Sequence, residues 1–424
     1  MKYTKKDLAS YNLHLINTDK FKTITMKVVF SSPIKKDEIT MRNVLSDLLL
    51  QSSKNYESRR ELTIKAEELY AADVYNNTQR IGNYILTSIN LQVLNDKYTE
   101  EGNFEEAVKF LSEIIFNPDI KDNAFKEDKL DLVLSNVRVA LESIKEDATN
   151  YSLLRLMEAY DKESPVSYRM VGYLEDLDKI KTDTLYEYYK NLIEYDYVDI
   201  YIVGDFENNT IQEIIKKYFK FRKVKKTRPS YEIKSKKIRN RRLIAKETID
   251  NNQSKLAIAC GISKASKYEI NYPLVLANII FGGGPDSKLF KDVREKNSLC
   301  YSIYSYPVKL DNLLVISAGI DKENYQKTLE LTTNLLKDMK KGKFTDKDIN
   351  IAKEYYNTAC EEVEESEYKI INEYLSQEIL GVEPLEERVK IMNKVTKKDI
   401  IKVAKKIEMD TVFLLEGVKK DERD

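Results

Sequence analysis

The residues with the most chemical potential lie in one stretch, FGGGPDSKLFKDVREKNSLCYSIY at 281–304. Arg294 offers a planar, permanently charged fork, and Tyr301, seven positions on, a phenolic hydroxyl. Groups of these kinds are what electrostatic stabilisation of an oxyanion on a tetrahedral intermediate requires. Taken singly, each has a plainer explanation: a surface ion pair for Arg294, and packing for Tyr301 as one of 29 tyrosines. The run Gly282–Gly284 invites a phosphate-loop reading, yet there is no GxxxxGK[ST] and the run follows a helical pattern rather than a strand. Those glycines instead stop one helix, and Asp286 or Ser287 can cap the next.

The chain is as informative in what it lacks. His14, in YNLHLI, is its one histidine. A catalytic triad needs a base and a catalytic zinc usually takes one to three His ligands, and no GxSxG nucleophile is present to partner His14. A half-buried or surface histidine without catalytic duty is expected. Cys260, Cys300 and Cys360 show no CxxC spacing, which points to small buried hydrophobes in a reducing compartment. Lys plus Arg and Asp plus Glu both total 70, so no nucleic acid or anionic membrane is expected as partner. The N-terminus carries no apolar targeting segment and no run reaches membrane-span length, so a cytoplasmic location is expected.

The elements that must position Arg294 and Tyr301 occur twice, about 230 residues apart. TITMKVVF (23–30) and QSKLAIAC (253–260) both alternate as strands, and Leu45, Leu49 and Leu50 fall on Val275, Ile279 and Ile280 in helical patterns that end in Ser52–Ser53 and Gly282–Gly284. A second helix (58–70, 286–299) and two strands follow in each copy: DVYNNT and NYILTSINLQVL, then YSIYSYPV and NLLVISAGI. Copy two continues with an amphipathic stripe, Tyr325, Leu329, Thr332, Leu336 and Met339, and a long Glu/Lys-rich helix from 345 to 380. Thr182 and Thr396 are placed as N-caps of helices leading into the final strands DIYIVGD and TVFLLEG. The reading is an α+β chain of two homologous domains, 1–221 and 243–424, each a largely antiparallel sheet flanked by helices. The segment 222–242, with eleven Lys or Arg and one Glu, reads as a basic interdomain linker.

With its glycine-rich turn and L-F-x-x-x-R-E-K-x-S-L-x-Y, copy two closely resembles the second domain of the M16 zinc peptidases (pitrilysin, insulinase, mitochondrial processing peptidase), and the resemblance spans essentially the whole chain. It implies two domains of the LuxS/MPP-like metallohydrolase type. In that family zinc sits in the first domain on an inverted HxxEH motif, with a further Glu ligand downstream: two His at i and i+4 bind zinc and the adjacent Glu acts as general base. The matching positions here are Asn43, Ser46 and Asp47, with Asn136 at the downstream ligand. Asn, Ser and one carboxylate make no tetrahedral zinc cage, so no metal and no cofactor is expected in this chain.

What the resemblance implies for Arg294 and Tyr301 is retention of the family's substrate-holding and oxyanion-stabilising pair. The leading expectation is a non-catalytic subunit, inactive alone, that lends both residues to a peptide at the zinc of an HxxEH-bearing partner of similar length. The isolated chain is left open to form a homodimer. The rival expectation is a pseudo-peptidase scaffold that binds polypeptide without aiding hydrolysis. The same resemblance takes in a bacterial branch of paired proteins, some associated with 5-aminopentanol modification of translation elongation factor P and others with peptide processing.

Overall fold

The computed structural model describes residues 1–222, 230–231 and 236–418, so residues 223–229 and 232–235 of the expected linker lie outside the described residues. Among the described residues, β1 (Lys2–Asp7), β2 (Asn12–Asn17), β3 (Thr23–Pro33), β4 (Asp73–Ile81), β5 (Tyr84–Leu94) and β6 (Tyr197–Gly204) form one sheet in the order β1-β2-β6-β3-β5-β4. A second sheet joins β7 (Leu243–Ile249), β8 (Ser254–Ile262), β9 (Cys300–Val308), β10 (Leu313–Ile320) and β11 (Ile407–Gly417) in the order β9-β10-β8-β11-β7. From the hairpin edge inward the orders coincide, β4-β5-β3-β6-β2 against β9-β10-β8-β11-β7. In each sheet only the β2–β6 or β7–β11 pair is parallel. The duplication inferred from spacing is thus a duplication of topology, with β1 as an addition to the first copy.

Each sheet fixes its register through a period-two apolar set, because a one-residue slip would turn that set to the other face. Ile24, Met26, Val28 and Phe30 of β3 are buried in the first core, and Met26 lies opposite Leu91 on β5 and Ile202 on β6. In the second sheet Leu256, Ile258 and Cys260 play that part, with Ile258 opposite Ile316 and Val412. All three cysteines are buried and free, as expected. Helices Ile39–Leu48 and Asn103–Phe116 contribute Val44, Leu45, Leu48, Phe104, Leu111 and Ile115 to the first core. Arg42, beside the candidate zinc positions, is buried too. Its guanidinium donates to Thr87 Oγ1 at 2.7 Å, Ser32 Oγ at 2.9 Å, the Phe30 carbonyl at 3.0 Å and Asp196 Oδ2 at 2.5 Å. That network ties the helix to β3, to β5 and to Asp196 at the end of helix Thr182–Tyr195, and it satisfies a charge that burial alone would not tolerate.

The chain divides into two compact units, and neither is one continuous stretch. The first comprises Met1–Glu142, Arg169–Tyr231 and Val363–Ile379; the second comprises Ser143–Tyr168, Glu232–Glu362 and Leu380–Asp424. Within the second unit, helix Ala148–Tyr160 seals the far face of the sheet with Tyr151, Leu156, Met157 and Tyr160 against Ala257, Ala259, Val315 and Phe413. Within the first unit, helix Glu367–Leu380 meets the far face of the sheet through polar groups. Thr23 Oγ1 and Gln92 Nε2 donate to Glu367 Oε2 at 2.6 and 2.8 Å, and Lys27 Nζ donates to Asn372 Oδ1 at 3.0 Å.

Helix Glu367–Leu380 exposes a difference from the sequence reading, which ran a single helix from 345 to 380. The structure breaks it into Asp346–Glu361, a 3₁₀ turn over Glu362–Glu365, and Glu367–Leu380. Ser366 provides the reason: its carbonyl begins the new helix by accepting from Ile370 N, and its hydroxyl accepts from Lys369 N. Serine competes well for such start positions and poorly for helix interiors. Thr396 caps its helix in a reciprocal box with Asp399, as read from sequence. Thr182 instead is the first helical residue, with Lys181 at the cap.

Candidate functional site

The first unit places the three zinc-motif positions on helix Ile39–Leu48, and none of their side chains is arranged as a ligand set. Asn43 Nδ2 donates to the Met170 carbonyl at 2.5 Å. Ser46 Oγ donates back to the Asn43 carbonyl at 2.9 Å and accepts from Asn76 Nδ2 at 3.2 Å. Asp47 Oδ1 accepts from the same Asn76 amide at 2.8 Å. Burial raises the Asp47 pKa, while the Asn76 hydrogen bond and the charge of Arg59 draw it back. Among the described residues no group of three or more His, Cys, Asp or Glu could hold a metal ion. A zinc site of the family's kind does not fit this donor set.

Of the three, Asp47 borders open space. Asp47, Gln51, Arg59, Tyr75, Asn76 and Asn136 line one cavity of about 300 Å³. Asn136 comes from helix Glu127–Glu142 and Asn76 from β4, so three separated segments converge on Asp47. The family resemblance points to Asp47 and Asn136, and nothing in the sequence marks Asn76, Arg59 or Gln51.

In the second unit, Arg294 lies in a π-helical segment, Leu289–Lys296, where a regular helix over 286–299 had been expected. Wide turns of this kind insert one residue per turn and recur at functional positions. Leu289 and Val293 anchor the segment in the core, while Arg294 is exposed, its guanidinium 4.6 Å from the Phe290 ring centroid. Among the described residues Arg294 has no carboxylate within ion-pair distance. Ser298 ends the segment with φ 51°, and its N–H donates to the Arg294 carbonyl at 3.1 Å. The chain then enters β9, so Tyr301 follows within the same local unit. Arg294 is near enough to Cys300 to oppose the effect of burial, which pushes that thiol up to about 11.

Tyr301 is 60% exposed, and its hydroxyl donates to Asp321 Oδ1 at 3.1 Å. That hydrogen bond, then the charge of Asp321, raises the phenol's pKa and keeps it a donor. Asp321 went unnoticed in the sequence, although an Asp directly after an apolar strand is a recurrent helix-start signal and Asp321 does precede the short turn Lys322–Asn324. The glycine turn has a steric purpose. A Cβ on Gly282 would come 2.5 Å from Ser305 Oγ and 2.6 Å from Leu289 Cδ1. Its absence lets β9 close on the turn, where Ser305 N donates to the Gly282 carbonyl at 2.8 Å.

The lone histidine departs from expectation. His14 is fully buried on β2, with Nδ1 2.8 Å from Tyr3 Oη and Nε2 3.1 Å from Asp199 Oδ1, and its ring stacks 4.1 Å from Tyr201. It fell outside the sequence expectation because the far face of this sheet is polar, so a buried polar ring finds partners there.

The Peptidase M16 inactive domain family matches residues 179–356. Over 408 residues, 95% of each chain, the protein is 29% identical to a Bacillus subtilis protein named "Probable inactive metalloprotease YmfF". The chain is thus similar to M16 proteins along nearly its whole length. Its likeness extends to a conserved protein from Enterococcus faecalis, at 29% identity and TM-score 0.90 over 99% of both chains. It shares its fold with a Pseudomonas fluorescens M16 inactive domain at 17% identity and TM-score 0.79, again over 99% of both chains. A Bacillus subtilis protein named "Uncharacterized zinc protease YmxG" is 26% identical over 58% of each chain. The α+β architecture agrees with those similarities. Among the described residues no helix is long and apolar enough to cross a membrane.

Proposed function

We propose that this chain is the non-catalytic subunit of a heterodimeric zinc peptidase, located in the cytoplasm. In this role it lends Arg294 and Tyr301 to a peptide bound at the zinc of an HxxEH-bearing partner. One observation carries the reading: Arg294 stands exposed without a carboxylate partner among the described residues, on a segment whose neighbours Leu289 and Val293 are locked in the core. The segment fixes where the side chain starts, and the guanidinium has no internal ion pair to break before it engages a carbonyl or oxyanion. Tyr301, whose one hydroxyl proton goes to Asp321 in the free chain, adds a second hydrogen bond to the same substrate by turning that proton toward it. No zinc is assigned to this chain, and alone it is inactive.

The test pairs the purified chain with an HxxEH homologue of similar length and zinc, then replaces Arg294→Met and Tyr301→Phe singly. Loss of peptide cleavage by roughly a hundredfold, with the complex intact by size-exclusion chromatography, supports the shared site. Unchanged cleavage in both variants refutes it and leaves a polypeptide-binding scaffold as the role of the chain.

A further inference from the structure

The cavity around Asp47 has a composition of its own, independent of Arg294, Tyr301 and any partner. Asp47 is half-buried, accepts one amide hydrogen bond from Asn76, and among the described residues has no cation within ion-pair distance. The charge of Arg59 reaches Asp47 only from beyond ion-pair distance, so a carboxylate half-withdrawn from water keeps part of its cost, which a cation bound directly to it would relieve. Acceptors stand ready beside it. Gln51 commits its Nε2 to the Asp47 backbone carbonyl at 3.2 Å, leaving its amide oxygen as acceptor, and Asn136 lines the same space. An ammonium group has three N–H donors and no acceptor, which suits one carboxylate flanked by carboxamide oxygens.

Arg59 adds the opposite sign. It donates once, to the Leu50 carbonyl at 3.3 Å, and keeps further N–H donors at the cavity. An anion and a cation lining one space of about 300 Å³ complement a ligand that carries an ammonium close to a carbonyl oxygen. We infer that this cavity binds an α-ammonium group with its adjacent carbonyl or carboxylate, the ammonium on Asp47 and the oxygen on Arg59. That chemistry belongs to the N-terminal residue of a polypeptide and to a free α-amino acid. A hard divalent cation would use the same oxygens without Arg59, and the guanidinium's charge works against it.

Isothermal titration calorimetry of the full chain tests this with trialanine amide, N-acetyl-trialanine amide, free alanine, and magnesium and zinc chlorides. The expected result is binding at one site, weakened at least tenfold by N-acetylation and at least tenfold by Asp47→Asn, an isosteric change that keeps the Asn76 contact. Arg59→Met weakens it several-fold. Tighter binding of trialanine amide assigns the site to a chain N-terminus, and equal or tighter binding of alanine assigns it to a free amino acid. Equal binding of the acetylated peptide, no binding of either ammonium probe, or a metal ion captured in their place overturns the inference. The acetylation arm uses the unaltered chain, so the test stands even where a variant misfolds.

Discussion

Replacing Lys27 by Met tests whether the far face of the first sheet stores an uncompensated charge. Lys27 is 1% exposed on β3, and among the described residues its amine has no carboxylate partner. It donates to Asn372 and sits 5.1 Å above the Tyr368 ring. Burial pulls its pKa from the ordinary 10.5 to about 8. At about 1.36 kcal/mol per pH unit, that depression means holding the charged form in the fold costs about 3 kcal/mol. The sign follows from proton counts. Between about pH 8 and pH 10.5 the unfolded chain binds the proton that the folded chain releases, so stability rises with pH across that window. Below about pH 8 the full cost is present; above about pH 10.5 it has gone. Methionine fills similar volume, but the change forfeits the Asn372 hydrogen bond and the ring contact, about 1 kcal/mol each. The net expectation for Lys27→Met is therefore a gain of about 1 kcal/mol near neutral pH. Relative to the variant, the natural chain should improve by about 3 kcal/mol as pH rises through the window. Urea unfolding followed by far-ultraviolet circular dichroism, at several pH values for both proteins, reads this directly. Stability curves that stay parallel for the two proteins would falsify the argument.

Glu367 provides the acidic counterpart. Burial raises its pKa, and Oε1 has no hydrogen-bond partner, so the folded chain holds this proton above pH values at which the unfolded chain has lost it. Stability therefore falls as pH rises from the ordinary carboxylate value of 4.5 through the raised one, and Glu367→Gln should flatten that decline in the same unfolding assay. Arg42→Met removes the cation from Asp196 in a buried pair and should cost about 3–5 kcal/mol, with Arg42→Met/Asp196→Asn recovering part of it. A single variant as stable as the natural chain by urea titration would show that the pair is not what fixes helix Ile39–Leu48.

Much of the architecture was legible because its causes are local. Alternation in TITMKVVF and SKLAIAC names a buried strand face, the Thr396–Asp399 box names a helix start, and a repeat about 230 residues long predicts the shared strand order. The absence of an HxxEH sequence was equally plain, since His14 is the one histidine, whereas the assignment of Asn43, Ser46 and Asp47 to its place came from the family resemblance. The tertiary structure decided matters that depend on distant partners. It broke the 345–380 helix at Ser366 and gave its second piece to the first unit, and it buried His14 and Lys27 on a sheet face whose polarity only the assembled strands define. It also brought Asn76, Arg59 and Asn136 around Asp47, which no short-range pattern could do. Periodicity reports which side of an element is apolar. What stands opposite that side, and whether a buried charge finds a partner there, is settled only when segments far apart in sequence pack together.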